Sequence, residues 1–158
     1  MIIVLMGVTG CGKTTIGRLL ADRLGAEFHD GDNFHPPENV RKMASGIPLD
    51  DADRLPWLER LREAILASRS RGEAAVVACS ALKESYRRIL DIGGVRFVYL
   101  AATPEVIHRR VSERSGHFMP PALVASQFAA LEEPTDALRI DASLPPEEIV
   151  EQIVAAMG

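Results

Sequence analysis

Short unbroken apolar runs alternate along this chain with stretches in which apolar residues recur at helical spacing. The runs are Ile2–Met6, Ala74–Cys79 and Val95–Leu100, with weaker ones at Glu27–Asp30 and Ala137–Ile140. A short continuous apolar run suits a strand buried on both faces. The stretches between them predict helices over Lys13–Leu24, Pro37–Ala44, Ala52–Arg71, Leu82–Leu90, Pro104–Arg114, Pro121–Leu131 and Pro146–Met157. Several are entered through proline, whose fixed φ and missing N–H suit a first helical turn. In the first helix Ile16, Leu19, Leu20 and Leu24 are expected to form the buried stripe, which ends at Gly25. In the third, Trp57, Leu58, Leu61 and Ile65 read as core, with Asp51 or Asp53 as a cap. Strand and helix in alternation predict an α/β fold, a parallel sheet covered by helices on both faces. Ligands of such sheets bind beyond the carboxyl ends of the strands, where Gly7, Asp30, Cys79 and Ala101 fall.

Composition narrows the reading little. The chain has 158 residues, 47% hydrophobic and 25% charged, which fits one globular domain over residues 1–158. A formal charge of −4 offers no electrostatic reason to expect nucleic acid. Two cysteines, Cys11 and Cys79, have neither metal-binding spacing nor the number for a disulfide framework. The opening apolar run is too short for a secretory signal, and no stretch approaches the ~20 apolar residues of a membrane span. The expectation is a soluble cytoplasmic protein whose partner is a small metabolite, with no nucleic acid and no membrane.

The chemistry begins where the first strand ends. Gly7 is followed by four residues and then Gly12-Lys13-Thr14, the spacing of a phosphate-binding loop. Glycine lets the backbone wrap an anion, so the N–H groups from Thr9 and Gly10 through Cys11, Gly12 and Lys13 to Thr14 and Thr15 become candidate phosphate donors. Lys13 brings a mobile positive charge to the β- and γ-phosphates, and the Thr14 hydroxyl suits magnesium. The helix that starts at Lys13 adds its positive dipole end.

Asp30 and Asp32 flank Gly31 at the end of the second strand. Beside a phosphate loop, one carboxylate can hold magnesium and the other can orient an attacking hydroxyl; the same pattern also suits a turn that caps the next helix. Arg41 and Arg54 offer the two-point geometry that binds a carboxylate, or else ordinary surface pairs. The third strand carries no acid at its end, which leaves magnesium to Asp30 and leaves Ser80, Lys83 and Arg87 for the acceptor. Arg109, Arg110 and Arg114 precede Gly116-His117-Phe118, which suits a lid over a triphosphate, or equally a solvated basic helix face.

Together these stretches resemble the bacterial gluconokinases of the shikimate-kinase-like P-loop kinases. The likeness is carried by Gly7–Thr14, Asp30 to Asp32 with His35-Pro36, and Lys42 to Gly46 with Pro48-Leu49. It continues through Asp51 to Leu58, Cys79 to Lys83 with Tyr86-Arg87, Arg114 to Phe118, and Gln127-Phe128 with Leu131 to Pro134. The resemblance implies a three-layer P-loop kinase with strand order 2-3-1-4-5 and a short lid at about 114–121, acting as a homodimer. It implies transfer of phosphate from ATP, with Mg2+, to the 6-hydroxyl of D-gluconate.

Carried over residue by residue, Lys13 is the phosphate-binding lysine, Asp32 the partner of the acceptor hydroxyl, and Thr14 and Asp30 the magnesium ligands. Arg110 and Arg114 are the lid arginines, and His117 lies in the closing segment. Asp32, His35, Arg41, Arg54, Ser80, Lys83 and Arg87 surround the substrate, and Arg139–Ala142 is where the family places its adenine loop. The residues themselves leave two alternatives open: a kinase for another small molecule such as shikimate, and a regulatory module that binds ATP without transferring phosphate.

Overall fold

The computed structural model describes residues 1–113 and 121–158, with side chains at 1–110 and 124–158. Five strands, β1 (Ile2–Met6), β2 (Glu27–Asp30), β3 (Ala75–Ala78), β4 (Val95–Ala101) and β5 (Leu138–Asp141), form one sheet in the order β2-β3-β1-β4-β5. Every neighbouring pair is parallel, and β1 at the centre pairs Val4 with Val77 on one side and Phe97 on the other. All five residues of β1 are buried, as an unbroken apolar run requires of a strand covered on both faces.

The described helices are α1 (Lys13–Leu24), α2 (Pro37–Ala44), α3 (Asp51–Ser70), α4 (Glu84–Leu90), α5 (Pro104–Glu113), α6 (Pro121–Ala130) and α7 (Pro146–Met157). The side chains of β1 alternate between two cores, as strand geometry dictates. Ile3 and Leu5 pack with Ile16 and Leu20 of α1, Ile107 of α5 and Ile149 and Ile153 of α7. Ile2, Val4 and Met6 pack with Trp57, Leu58, Leu61 and Ile65 of α3 and with Tyr86 and Leu90 of α4. Helices therefore cover both faces, and the fold is the expected P-loop kinase arrangement.

Local details differ from expectation for identifiable reasons. On α1, Leu19 is 36% exposed, and the buried stripe runs instead through Ile16, Gly17, Leu20 and Ala21. Gly17 belongs there because a Cβ would lie 2.4 Å from the Phe28 ring. Helix α3 starts at Asp51 because Asp50, rather than Asp51 or Asp53, is the N-cap. Its carboxylate accepts from Asp53 N–H at 2.7 Å while Asp53 reaches back to Asp50 N–H at 3.1 Å, a reciprocal capping box. Helix α4 begins two residues later than the pattern suggests. Ala81, with φ +44, turns the chain in the left-handed region just after β3 and delays the helix. The 3-10 turn over Gly31–Phe34 carries no periodic signature that the sequence could have shown.

Candidate active site

The phosphate loop joins β1 to α1 at the carboxyl edge of the sheet. Gly7 sits at φ +152, and a Cβ there would lie 2.8 Å from Cys11 Sγ and 2.9 Å from the Leu100 carbonyl. Only glycine allows the loop to pass this close to β4. Its N–H donates to the Ser80 carbonyl at 3.2 Å, which ties the loop to the segment after β3. Lys13 Nζ donates to the Gly7 and Val8 carbonyls, each at 2.9 Å, so the ammonium folds over the start of the loop. The first turn of α1 holds no acidic residue, and its N-cap, Gly12, supplies no side-chain cap, so no side chain competes there with an anion.

Two side chains from the far end of the chain hold this loop. Gln127 Oε1 on α6 accepts from Thr9 N–H at 3.2 Å and from the Thr9 hydroxyl at 3.1 Å. Arg110 on α5 donates to the Cys11 carbonyl at 2.9 Å and to the carbonyl of Ala142, after β5. Arg110, expected as a lid arginine, gives its N–H groups to these two backbone carbonyls and so bridges the loop to the Arg139–Ala142 segment.

The acidic turn forms the second wall. Asp30 accepts from Asp32 N–H at 3.0 Å, so Asp30 caps the 3-10 turn while the exposed side chain of Asp32 is carried on it. Gly31 is wedged between β3 and α3. A Cβ there would lie 2.4 Å from the Ala78 carbonyl, and its own carbonyl accepts from Trp57 Nε1 at 2.7 Å. Trp57 is core, as expected, but its ring also stacks on His35, with centroids 4.4 Å apart and planes 14° off parallel. Burial lowers the His35 pKa below its usual value; Arg54 acts in the same direction and Asp32 opposes it. The buried side chain of Asn39 links His35 to the Asp53 carbonyl, and Lys42 pairs with the Asp53 carboxylate at 2.9 Å.

A third group gathers near the start of α3. Lys83 Nζ lies 3.0 Å from Asp51 Oδ1, the Tyr86 hydroxyl donates to the same oxygen, and Arg54 donates to Tyr86 at 3.1 Å. The Tyr86 hydrogen bond, followed by that of Lys83, holds the Asp51 carboxyl below the usual carboxylate range. Arg54 and Lys83 are thus brought together around one acid, whereas two other expected residues have different surroundings. Arg87 is buried and gives its N–H groups to the carbonyls of Ala81, Leu82 and Glu132 at 2.8, 3.2 and 2.8 Å, so it fastens the loop after β3 instead of facing a ligand. Arg41 extends outward on α2, its side chain 72% exposed beside Glu38. Cys79, at the end of β3, is buried, and its thiol is pushed up to about 12, so it stays protonated.

Thr14 and Asp30 supply oxygen donors, the chemistry a hard divalent cation needs. Among the described residues no three His, Cys, Asp or Glu side chains cluster into a metal cage. That donor set suits magnesium, which is normally held by one or two protein oxygens together with substrate phosphates. The expected lid at about 114–121, with Arg114 and His117, lies outside the described residues apart from Pro121 in α6. No helix among the described residues is long and apolar enough to cross a membrane.

Sequence reasoning misses Asn39 and Gln127 as site residues. Asn39 stands four residues after His35, but His35 lies in extended backbone ahead of α2, so helical spacing does not report their contact. Gln127 lies 118 positions from Thr9, and no local pattern reports such a contact.

Comparison with known proteins agrees with this geometry. The shikimate kinase family model matches residues 9–157. The thermosensitive gluconokinase of Escherichia coli is 48% identical over 155 residues, covering 94% of this chain and 83% of that protein. The gluconokinase of Gluconobacter oxydans is 43% identical over 157 residues, covering 96% and 88%. The crystal structure of a gluconokinase from Sinorhizobium meliloti superposes with a TM-score of 0.90 at 45% identity, covering 98% of this chain and 90% of that one.

Proposed function

This chain belongs to the gluconokinase family, and from that membership we propose that it carries the γ-phosphoryl group of ATP to the 6-hydroxyl of D-gluconate between Lys13 and Asp32. The observation that carries the reading is the way β3 couples the two walls. The segment after β3 holds Gly7 through the Ser80 carbonyl, and the last residue of β3 abuts Gly31, so donor loop and acidic turn are fixed to the same strand end.

In this reading the backbone N–H groups of Gly10, Cys11, Gly12, Lys13, Thr14 and Thr15 cradle the phosphates, that of Thr9 joins them on release from Gln127, and Lys13 moves from the loop carbonyls onto the phosphate oxygens. Arg110 orders the loop from the α5 side. Asp32 accepts a hydrogen bond from the attacking hydroxyl and aims it, because a loose phosphoryl transfer demands orientation more than early proton removal. Thr14 and Asp30 would hold magnesium, which would supply charge neutralisation to the phosphates. Arg54 and Lys83 face the gluconate carboxylate, while Ser80 and His35 meet its hydroxyls. The whole chain acts as one kinase domain. A homodimeric state is proposed from the family resemblance, and sedimentation of the purified protein tests it; a cytoplasmic location is proposed from the sequence reading.

Coupled ADP release tests the reaction, with ATP and magnesium against gluconate, shikimate and no acceptor. Turnover with gluconate alone is expected. Turnover with shikimate alone discards the substrate, and ATP binding without turnover on either favours a regulatory module.

A further inference from the structure

The amide nitrogen of Asn39 serves two neighbours at once. Nδ2 lies 2.8 Å from the Asp53 carbonyl oxygen and 3.2 Å from Nδ1 of His35. A backbone carbonyl can only accept, so the amide must turn its NH2 group, not its oxygen, toward Asp53. This chemical requirement fixes an orientation that heavy-atom positions leave ambiguous. The second hydrogen of the same NH2 group then faces His35 Nδ1. Two donors cannot share one hydrogen bond, so Nδ1 must carry a lone pair and the ring proton must sit on Nε2.

The surroundings hold this choice in place. Asn39 is 3% exposed, so turning its amide over would leave the Asp53 carbonyl and His35 without their donor. The His35 ring is stacked on Trp57, and Trp57 is itself anchored to the carbonyl of Gly31, the residue before Asp32. Nε2 lies on the far side of the ring from Asn39. The charged groups that act on the ring are Asp32 from the 3-10 turn and Arg54 from α3.

We propose that Asn39 is a positioning residue that locks His35 as the neutral Nε2–H tautomer, so that His35 donates, and never accepts, a hydrogen bond to a hydroxyl of the bound polyhydroxy acid. The substrate half of this statement rests on the gluconate kinase reading; the tautomer half does not. Asp32 only accepts and His35 only donates. A hydroxyl between them has its single proton directed to Asp32 and a lone pair to His35, which defines the orientation of the acceptor chain.

The test uses the full chain labelled with nitrogen-15 in histidine. At neutral pH, long-range proton–nitrogen spectra of the wild type are expected to report His35 neutral, with Nδ1 unprotonated. A protonated Nδ1, in either a neutral or a charged ring, overturns the proposal even if no variant folds. In Asn39→Ala the tautomers are expected to mix, and KM for gluconate to rise by about tenfold, the scale of one lost neutral hydrogen bond, with KM for ATP unchanged. Asn39→Asp, which presents only acceptors, is expected to pull the proton to Nδ1 and to weaken gluconate in the same selective way. If both variants turn over gluconate with wild-type KM, the positioning role is overturned while the kinase reading stands. If the wild type never turns over gluconate, the substrate half fails with that reading, whatever the tautomer.

Discussion

Thr9 and Gln127 meet across most of the length of the chain, and one side-chain oxygen of Gln127 accepts both the backbone N–H and the hydroxyl of Thr9. The contact joins α6 to the phosphate loop, and it occupies a backbone donor of the kind that binds phosphate in such loops. If the loop binds a triphosphate as proposed, Gln127 is the side chain that competes with it for the Thr9 N–H.

A matched pair of substitutions separates the mechanical part of this contact from its electrostatic part. Gln127→Glu keeps an acceptor for both Thr9 donors but sets a negative charge beside the triphosphate, so ATP affinity is expected to fall by about tenfold or more. Gln127→Ala removes both hydrogen bonds without adding charge, and a smaller loss of ATP affinity is expected, with turnover lowered by about tenfold. Titration with ATP and steady-state kinetics check both. Equal ATP affinity in Gln127→Glu and the wild type would place Gln127 away from the phosphates.

Lys13→Ala is expected to abolish turnover, because no other side chain on the loop brings a mobile cation to the phosphates. Asp32→Asn is expected to lower kcat by ~100-fold or more while leaving the melting temperature almost unchanged, since the Asp32 side chain is exposed and the turn is held through its N–H. Coupled ADP release alongside circular dichroism checks both. Near-normal kcat in either variant removes the role assigned to that residue.

Gly31→Ala reaches the same carboxylate indirectly. Its Cβ would meet the Ala78 carbonyl at 2.4 Å, and because that atom belongs to a strand of the sheet, the turn has to yield. Trp57 opposes the movement by holding the Gly31 carbonyl at 2.7 Å. A destabilisation of about 1–3 kcal/mol is expected, together with a loss of kcat larger than any change in ATP affinity, as Asp32 moves relative to the phosphate loop. Urea melts and ATP titration distinguish this from general unfolding; unchanged kcat in a folded variant would mean that the position of Asp32 is not set by Gly31.

The strands, most helix limits and the phosphate loop were legible in the sequence because each is encoded locally, in apolar runs, in proline and glycine, and in a fixed motif spacing, whereas the sheet order came only with the family resemblance. The acidic turn was legible as chemistry but not as shape: nothing periodic marks a 3-10 turn, and Gly31 is explained only by the strand that abuts it. Arg87 illustrates the limit from the other side. Its residue type and its neighbours suggested a ligand contact, yet a guanidinium can equally satisfy three carbonyls in a loop where Ala81 has been forced to φ +44. Which use is made of it depends on Glu132, far along the chain, and sequence gives no measure of that distance.

Arg87→Leu tests this structural assignment. It leaves the carbonyls of Ala81 and Glu132 without their donor, the first on a residue that is itself buried, while the Leu82 carbonyl keeps the Glu132 N–H at 2.8 Å. A loss of about 3 kcal/mol of stability is expected from unsatisfied acceptors. KM for gluconate measured well below the melting temperature is expected to change by less than about threefold, under 1 kcal/mol. A large selective rise in KM with little loss of stability would return Arg87 to the substrate.

His35 ties stability to pH in a window of its own. Burial, with Arg54 beside it, lowers its pKa below the ordinary 6.5, against the opposing pull of Asp32. Protonation also sets a donor on Nδ1 against the Asn39 N–H. Between the lowered folded value and 6.5 the unfolded chain binds the extra proton and the folded chain does not, so unfolding free energy rises with pH across that interval. Above 6.5 the term vanishes; on acidification it accumulates down to the folded pKa. The carboxyls of Asp51 and Asp53 lie in a separate window, because their pKa values are lowered from 3.8, so the stability they add is lost only in stronger acid. Urea melts from about pH 8 to about pH 5, run on the wild type and on His35→Gln, are expected to show the wild type losing more stability on acidification, with the difference confined below 6.5. The acid limb of kcat/KM for gluconate is expected to fall in the same interval and to flatten in the variant, because a charged His35 with its proton on Nδ1 has lost the contact that orients it. Parallel melts for the two proteins would mean that His35 titrates freely in the folded chain.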